Sequence, residues 1–310
     1  MKKGIIIDLG GQMGNQLWTY LSIWTYCHEK GYDCRQLAFY QYSHHFPQTR
    51  GHWLITPFFN SLNRILPKKK SFIKNFLYRK LVLNFLIKKT AQLLNARGFN
   101  DEMIFLLPPT KIKNTKQAQK INELETCSST IYFNGPNFRN PTGAIKYHSE
   151  ICNLFSPQQQ IKKKINAFIG ELRNNYNFLV GVHIRQTDYR TFDKNLYFPP
   201  EKVAVILADF LATRKPEEKI CFIIASDEKI NLQVFGSLPT INAPGGIIED
   251  LFTLANTDFI IGSNSTYSTF SAYYGDIPMA IFKHDKIDWG FYAKQKKFFF
   301  NPESIVNLYS

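Results

Sequence analysis

Residues 177–189, Asn-Phe-Leu-Val-Gly-Val-His-Ile-Arg-Gln-Thr-Asp-Tyr, decide the fold. The run FLVGVHI is apolar at nearly every position and stops abruptly at Arg185, the pattern of a strand buried on both faces that delivers a charged loop at its carboxyl end. Downstream the rhythm repeats: a helical stretch from Pro200 to Thr213, the apolar run ICFIIA, a short helix near Ile230 and a helix from Ile248 to Asn256. The strand DFIIG, a helix from Ser265 to Tyr274 ending at Gly275, and the strand MAIF after Pro278 complete it. Strands alternating with helices predict a parallel sheet covered on both sides.

The amino-terminal part opens the same way. A strand from Gly4 to Asp8 meets Gly10, Gly11 and Gly14, and a helix follows from about Asn15 to Lys30, stopping at Gly31. Asp33 to Phe39 and Thr130 to Asn134 read as further strands. Pro157 opens a polar helix to about Asn174, which sets the boundary: residues 1–156 form one α/β domain and residues 157–310 a second. A chain of 310 residues with 44% apolar composition can fill two cores. Two doubly wound, Rossmann-like domains facing each other would leave a cleft lined by strand ends and helix starts, where ligands bind in such sheets.

Composition removes several classes. Five scattered cysteines with no C-x-x-C pair give neither a disulfide framework nor a zinc ribbon. The apolar start after Met1 is cut short by Asp8, and no run approaches the roughly 20 residues of a membrane span, so a cytoplasmic protein is expected. The net charge of +14 favours an anionic partner. Much of it lies between Arg64 and Arg97, where ten Lys/Arg and no acid interleave with apolar residues at near-helical spacing. Such a segment suits a solvated helical face, a contact with anionic membrane or a nucleic-acid surface, and charge alone does not choose among them.

Four motifs fall at strand ends. Gly10 to Trp18 places glycines and the amides Asn15 and Gln16 at a helix start, without the spacing of a dinucleotide fingerprint or a P-loop. A ligand-free tight turn is the plain reading; amide side chains suited to hydroxyls and phosphates favour contact. His183 and Arg185 share one face of their strand, followed by Asp188 and Asp193, so an arginine fork is presented for phosphate oxygens, or closes its loop by ion pairing. Asp227, after the strand ICFIIA, either accepts hydrogen bonds from a nucleoside or caps the next helix. Ser263, Asn264, Ser265 and Thr266 put hydroxyls at a helix start, an anion site by dipole and by free amides. Without a D-x-D triplet or a G-x-S-x-G turn, neither a metal-bound diphosphate nor serine hydrolysis is supported.

These segments, Gly10 to Gln16, His183 to Tyr189, Ser226 to Glu228 and Glu249 to Ser268, resemble the bacterial α-1,2-fucosyltransferases in order and separation, and more distantly the α-1,6 and protein O-fucosyltransferases. The resemblance implies a GT-B fold, GDP-fucose as donor, inversion at the sugar and no metal or other cofactor. It implies that Arg185, accompanied by His183, binds the donor β-phosphate, that Ser263, Asn264, Ser265 and Thr266 form the phosphate-side loop, and that Asp227 lies near the guanosine. Gly14, Asn15 and Gln16 would face donor sugar and acceptor, and an acid beyond the arginine would be the base, Asp193 first and Asp188 second. The chain departs from the family pattern at Gln186, where a second arginine is usual, and at Thr269-Phe270, where a tryptophan pair is usual.

Function then reads as fucose transfer to a glycan hydroxyl, galactose O2 by resemblance, in surface polysaccharide or oligosaccharide synthesis. The first domain would serve the acceptor and the second the nucleotide sugar. Residues 64–97 would rest against the inner face of a bacterial plasma membrane, and nucleic acid is not an expected partner. The competing readings are a GT-B transferase for another nucleotide sugar and a non-catalytic basic surface binder, which leaves the four motifs unexplained.

Overall fold

The computed structural model describes residues 2–7, 9–49, 97–99, 104–105, 126, 130–133, 138–295 and 297–298. The basic stretch 64–96 and most of 40–130 beyond Thr49 lie outside them. Two compact units divide the chain, Met1–Ser156 and Pro157–Ser310.

In the first unit, β1 (Lys3–Ile6) runs into a turn where Gly10 and Gly11 take φ of 58° and 61°. That left-handed backbone suits glycine, so the chain can reverse directly into α1 (Met13–Glu29). The helix is buried on most of its circumference, Leu17, Trp18, Leu21 and Tyr26 among its fully covered residues. It begins two residues before the expected Asn15, because Gln12 supplies the extended cap position without a side-chain bond. β2 (Asp33–Gln36) is shorter than expected: Gln36 Oε1 accepts from the Phe39 amide, which turns the chain into a 3₁₀ segment at Phe39–Gln41. With β3 (Arg97–Phe99) and β5 (Thr130–Phe133), β1 and β2 form a parallel sheet in the order β2-β1-β5-β3. β4 (Ile104–Phe105) pairs with β6 (Phe138–Arg139), and α2 (Pro141–Lys146) and α3 (His148–Leu154) follow.

The second unit begins with α4 (Gln159–Arg173) and carries β7 (Phe178–Ile184), α5 (Tyr189–Phe192), α6 (Pro200–Ala212) and β8 (Ile220–Ser226). β9 (Thr240–Asn242), α7 (Ile247–Leu254), β10 (Phe259–Gly262), α8 (Thr266–Gly275), β11 (Met279–Ile281) and α9 (Trp289–Ala293) complete it. Its five strands are parallel in the order β11-β10-β7-β8-β9. Side-chain alternation along β7 covers both faces. Val180, Val182 and Ile184 join Val203, Leu207 and Phe210 of α6, while Leu179 joins Cys221, Ile223 and Leu172 of α4. Full burial of such a side chain contributes about 2 kcal/mol, which holds these strands between the two helical layers.

One detail differs from the sequence reading: the residue near Ile230 expected to be helical is followed by a 3₁₀ turn at Leu232–Phe235. α8 ends at Gly275 as expected, and the left-handed residue that follows is Asp276, with φ 48°. Gly275 is required for space, since a methyl group there would overlap the Ala255 carbonyl oxygen.

Candidate active site

Strand register brings the second unit's motifs to one edge. β7 lies between β10 and β8, with His183 paired to Gly262 and Ile184 to Ser226, so the chain leaves all three strands side by side. The Ser263 amide donates to the His183 carbonyl at 2.9 Å, and the Arg185 amide donates to Ser263 Oγ at 2.9 Å. Two of the four motifs are thus stitched together through backbone groups.

His183 is buried, its ring 4.8 Å from that of Tyr267. Its Nδ1 lies 2.5 Å from Ser268 Oγ and 3.4 Å from Ser265 Oγ. Ser268 Oγ also lies 3.2 Å from the Ser263 carbonyl, so the imidazole, two hydroxyls and a backbone carbonyl form one buried cluster. Burial pushes this imidazole from its ordinary 6.5 down to about 4; the Arg185 charge acts in the same direction and Asp227 against it. His183 therefore stays uncharged at neutral pH and serves as a fixed strut between β7 and the start of α8.

Arg185 is held by two acids. Nε and Nη2 donate to Asp188 Oδ1 and Oδ2 at 2.7 and 2.9 Å, and Asp227 Oδ2 lies 3.2 Å from Nε. Burial opposes the charge on Arg185, but the bonds from Asp188 and the charge of Asp227 outweigh it and raise its pKa; the arginine in turn holds the Asp188 carboxyl below its ordinary value. Asp227 does not cap a helix. It accepts from the Gln186 amide at 2.8 Å and from Thr187 Oγ1 at 2.5 Å, pinning the turn that follows the arginine.

The loop at residues 263–266 leads from β10 into α8. Ser265 has extended backbone and caps α8 by accepting from the Ser268 amide at 3.2 Å. Thr266 and Tyr267 fill the first turn, where amide N–H groups find no acceptor inside a helix and the dipole favours an anion. Asn264 is exposed, and its carbonyl accepts from Tyr189 Oη at 2.6 Å. Asp193 lies farther along the loop, at the end of α5, where its side chain accepts from the Asn195 amide at 2.8 Å.

Gly14, Asn15 and Gln16 belong to the first unit. Gly14 and Gln16 are buried and Asn15 is partly exposed. Gln16 Nε2 donates to the Gly11 carbonyl at 3.1 Å and to Gln41 Oε1 at 3.4 Å, while its Oε1 is buried without a partner. That orphaned oxygen beside the glycine turn is the feature there that invites a donor from a bound molecule.

Two residues hold positions to which the sequence reading gave no role. Gln186 is buried, and Nε2 donates to the Phe198 carbonyl at 2.8 Å, closing the loop that carries Asp188, Tyr189 and Asp193. Asp250, in the first turn of α7, accepts from the Gly245 amide at 2.8 Å, and burial raises its pKa to about 6. The E-D-L run at Glu249 to Leu251 contained that signal: an acid entering an apolar helix turn is placed at desolvation cost. Among the described residues no group of three or more His, Cys, Asp or Glu side chains is placed to hold a metal ion, and no helix is long and apolar enough to cross a membrane.

No protein-family model matches the chain, and no curated protein sequence matches it. Solved structures do. NodZ α-1,6-fucosyltransferase co-crystallised with GDP is 14% identical with a TM-score of 0.53, over 91% of this chain and 96% of NodZ. A mutant of Arabidopsis thaliana FUT1 in complex with GDP is 11% identical with a TM-score of 0.54, over 92% of this chain and 71% of its own. POFUT1 in complex with GDP-fucose is 12% identical with a TM-score of 0.52, over 91% and 98%. The chain has the α/β fold of these fucosyltransferase structures, the GT-B class.

Proposed function

We propose that the chain is an inverting, metal-independent fucosyltransferase that moves fucose from GDP-fucose to a hydroxyl of a glycan acceptor. The observation that carries this reading is Arg185, fixed by Asp188 and Asp227 beside the capped start of α8. A fold shared with three fucosyltransferase structures supports it.

The chemistry follows from that constellation. An acceptor hydroxyl attacks the anomeric carbon from the face opposite the diphosphate, through an oxocarbenium-like state, and negative charge grows on the departing phosphate. Arg185 and the amides that follow Ser265 meet this charge in place of a cation; removing one such donor costs roughly 3–4 kcal/mol of barrier. Asp193 is the proposed base, because Asp188 is engaged at both oxygens by Arg185 and is the weaker proton acceptor. Asp227 holds the turn that aims the arginine, and Asn15 and Gln16 serve the donor sugar and the acceptor.

By motif resemblance the acceptor is galactose O2 and the linkage α-1,2, in surface glycan synthesis at the cytoplasmic face of a bacterial plasma membrane. Residues 64–97 would hold the enzyme there through acidic lipid. Incubation with labelled GDP-fucose, a chelator and a panel of galactosides, with linkage analysis of the product, tests the whole. Fucosylated galactoside formed in chelator supports it; product only from another nucleotide sugar, or only after metal is restored, refutes it. Salt-sensitive sedimentation with acidic but not neutral liposomes tests the membrane contact.

A further inference from the structure

The first unit holds a cavity of about 830 Å³ at the opposite end of α1 from the glycine turn. Its lining takes in Trp24 and His28 of α1, Tyr32 and Asp33 at the start of β2, and Glu150 and Asn153 of α3. Twelve residues of helix separate Gln16 from His28, about 18 Å at 1.5 Å per residue, so this cavity is distinct from the glycine turn and its amides Asn15 and Gln16. Its volume is within the roughly 300–1,000 Å³ of small-molecule pockets.

The chemistry of its wall selects an occupant. Trp24 is half-buried and stacks on His28 at 4.9 Å with an interplanar angle of 11°. Among the described residues it has no other ring partner, and its indole N–H meets no acceptor. Glu150 and Asn153 make no side-chain hydrogen bond within the described residues, nor does Gln48 on the same wall. Asp33 uses one oxygen on Arg35 at 2.8 Å. An aromatic plate, an indole donor, a carboxylate acceptor and two amides that both donate and accept therefore converge on one space.

We infer that this cavity binds a neutral oligosaccharide. A sugar presents an apolar C–H face to an aromatic ring and hydroxyls that donate and accept around its rim, matching each unmatched group. An anionic ligand is disfavoured, because among the described residues no lysine or arginine lines the cavity while two carboxylates do. An ammonium ligand satisfies the carboxylates but offers no acceptor to the indole or amide donors. None of the proposed transfer residues lines the cavity, and it would hold a saccharide whether or not the chain moves fucose.

The test is titration of the full chain, without nucleotide sugar, by saturation-transfer NMR and tryptophan fluorescence. The probes are lactose, cellotriose and maltotriose, with sialyllactose as an anionic control and spermidine as a cationic one. At least one neutral sugar should bind saturably in the millimolar range or tighter, and about tenfold more weakly to Trp24→Ala and to Asn153→Trp. The second variant blocks the cavity from an exposed position and carries the test alone if the first does not fold. No saturable binding of a neutral sugar, binding unchanged in Asn153→Trp, or tighter binding of spermidine or sialyllactose overturns the inference.

Discussion

Arg185 and Asp188 meet through two parallel bonds of 2.7 and 2.9 Å, while Asp227 lies 3.2 Å from the same Nε. A planar fork gripped in this way keeps one orientation, and a lysine at the same position would keep only the charge. Arg185→Ala should lose nearly all fucosyl transfer, and Arg185→Lys should lose about a hundredfold in kcat/KM, the 10²–10³ typical of a missing charge-stabilising donor. Initial rates with GDP-fucose on correctly folded variants check both.

The two acids beyond the arginine should fail differently. Asp193→Asn should lower kcat by roughly a hundredfold or more with little change in donor KM, as expected for a missing base. Asp188→Asn loosens the arginine and should mainly raise donor KM, by about tenfold, the worth of one charge-assisted bond. If Asp188→Asn abolishes turnover while Asp193→Asn keeps it, the roles are reversed.

Stability should carry two opposed acid-range contributions. His183, with its folded pKa near 4 against an ordinary 6.5, stays neutral while the unfolded chain takes up a proton. Its contribution is complete above 6.5 and is lost as pH falls towards 4, about 3 kcal/mol in all. Asp250, raised from 3.8 to about 6, holds a proton that the unfolded chain releases, so its term weakens stability as pH rises through that window. Relative to wild type, the change in urea midpoint on going from about pH 5 to about pH 7 should shift towards a fall in His183→Gln, where the Asp250 term is left alone, and towards a larger rise in Asp250→Asn.

Gly275→Ala should destabilise the second unit by about 1–3 kcal/mol, the usual range for overpacking, because the added methyl meets a backbone oxygen of Ala255 that cannot swing away. Ser265→Ala should cost about 1 kcal/mol through loss of the α8 cap and should also weaken GDP binding. Thermal midpoints, with and without GDP, separate the two effects.

How far the sequence could be read tracks the strength of the local signal. The apolar runs of β7, β8 and β10 were legible because strands buried on both faces need nearly continuous hydrophobic residues, and the charged residues that stop them mark the strand ends. That His183 and Ser263 share a strand edge followed from their positions after those runs. The clamp role of Asp227 did not, since its partners at Gln186 and Thr187 lie about forty positions away and nothing local separates such an acid from a helix cap. Gln186 was noticed only as a departure from a family pattern. Its bond to Phe198 depends on how the loop closes, which neither spacing nor periodicity encodes. The early end of β2 was hidden for the same reason: one side-chain acceptor, Gln36, turns the backbone before its apolar run finishes.

Calorimetric titration of GDP into the full chain in the presence of a chelator, repeated with UDP and with Arg185→Ala, is the most direct test of a guanidinium and a helix start acting in place of a divalent cation. Saturable GDP binding in chelator, much weaker UDP binding and loss of the GDP isotherm in Arg185→Ala are expected. Binding that appears only when magnesium or manganese is added back, or an Arg185→Ala isotherm matching wild type, would contradict it.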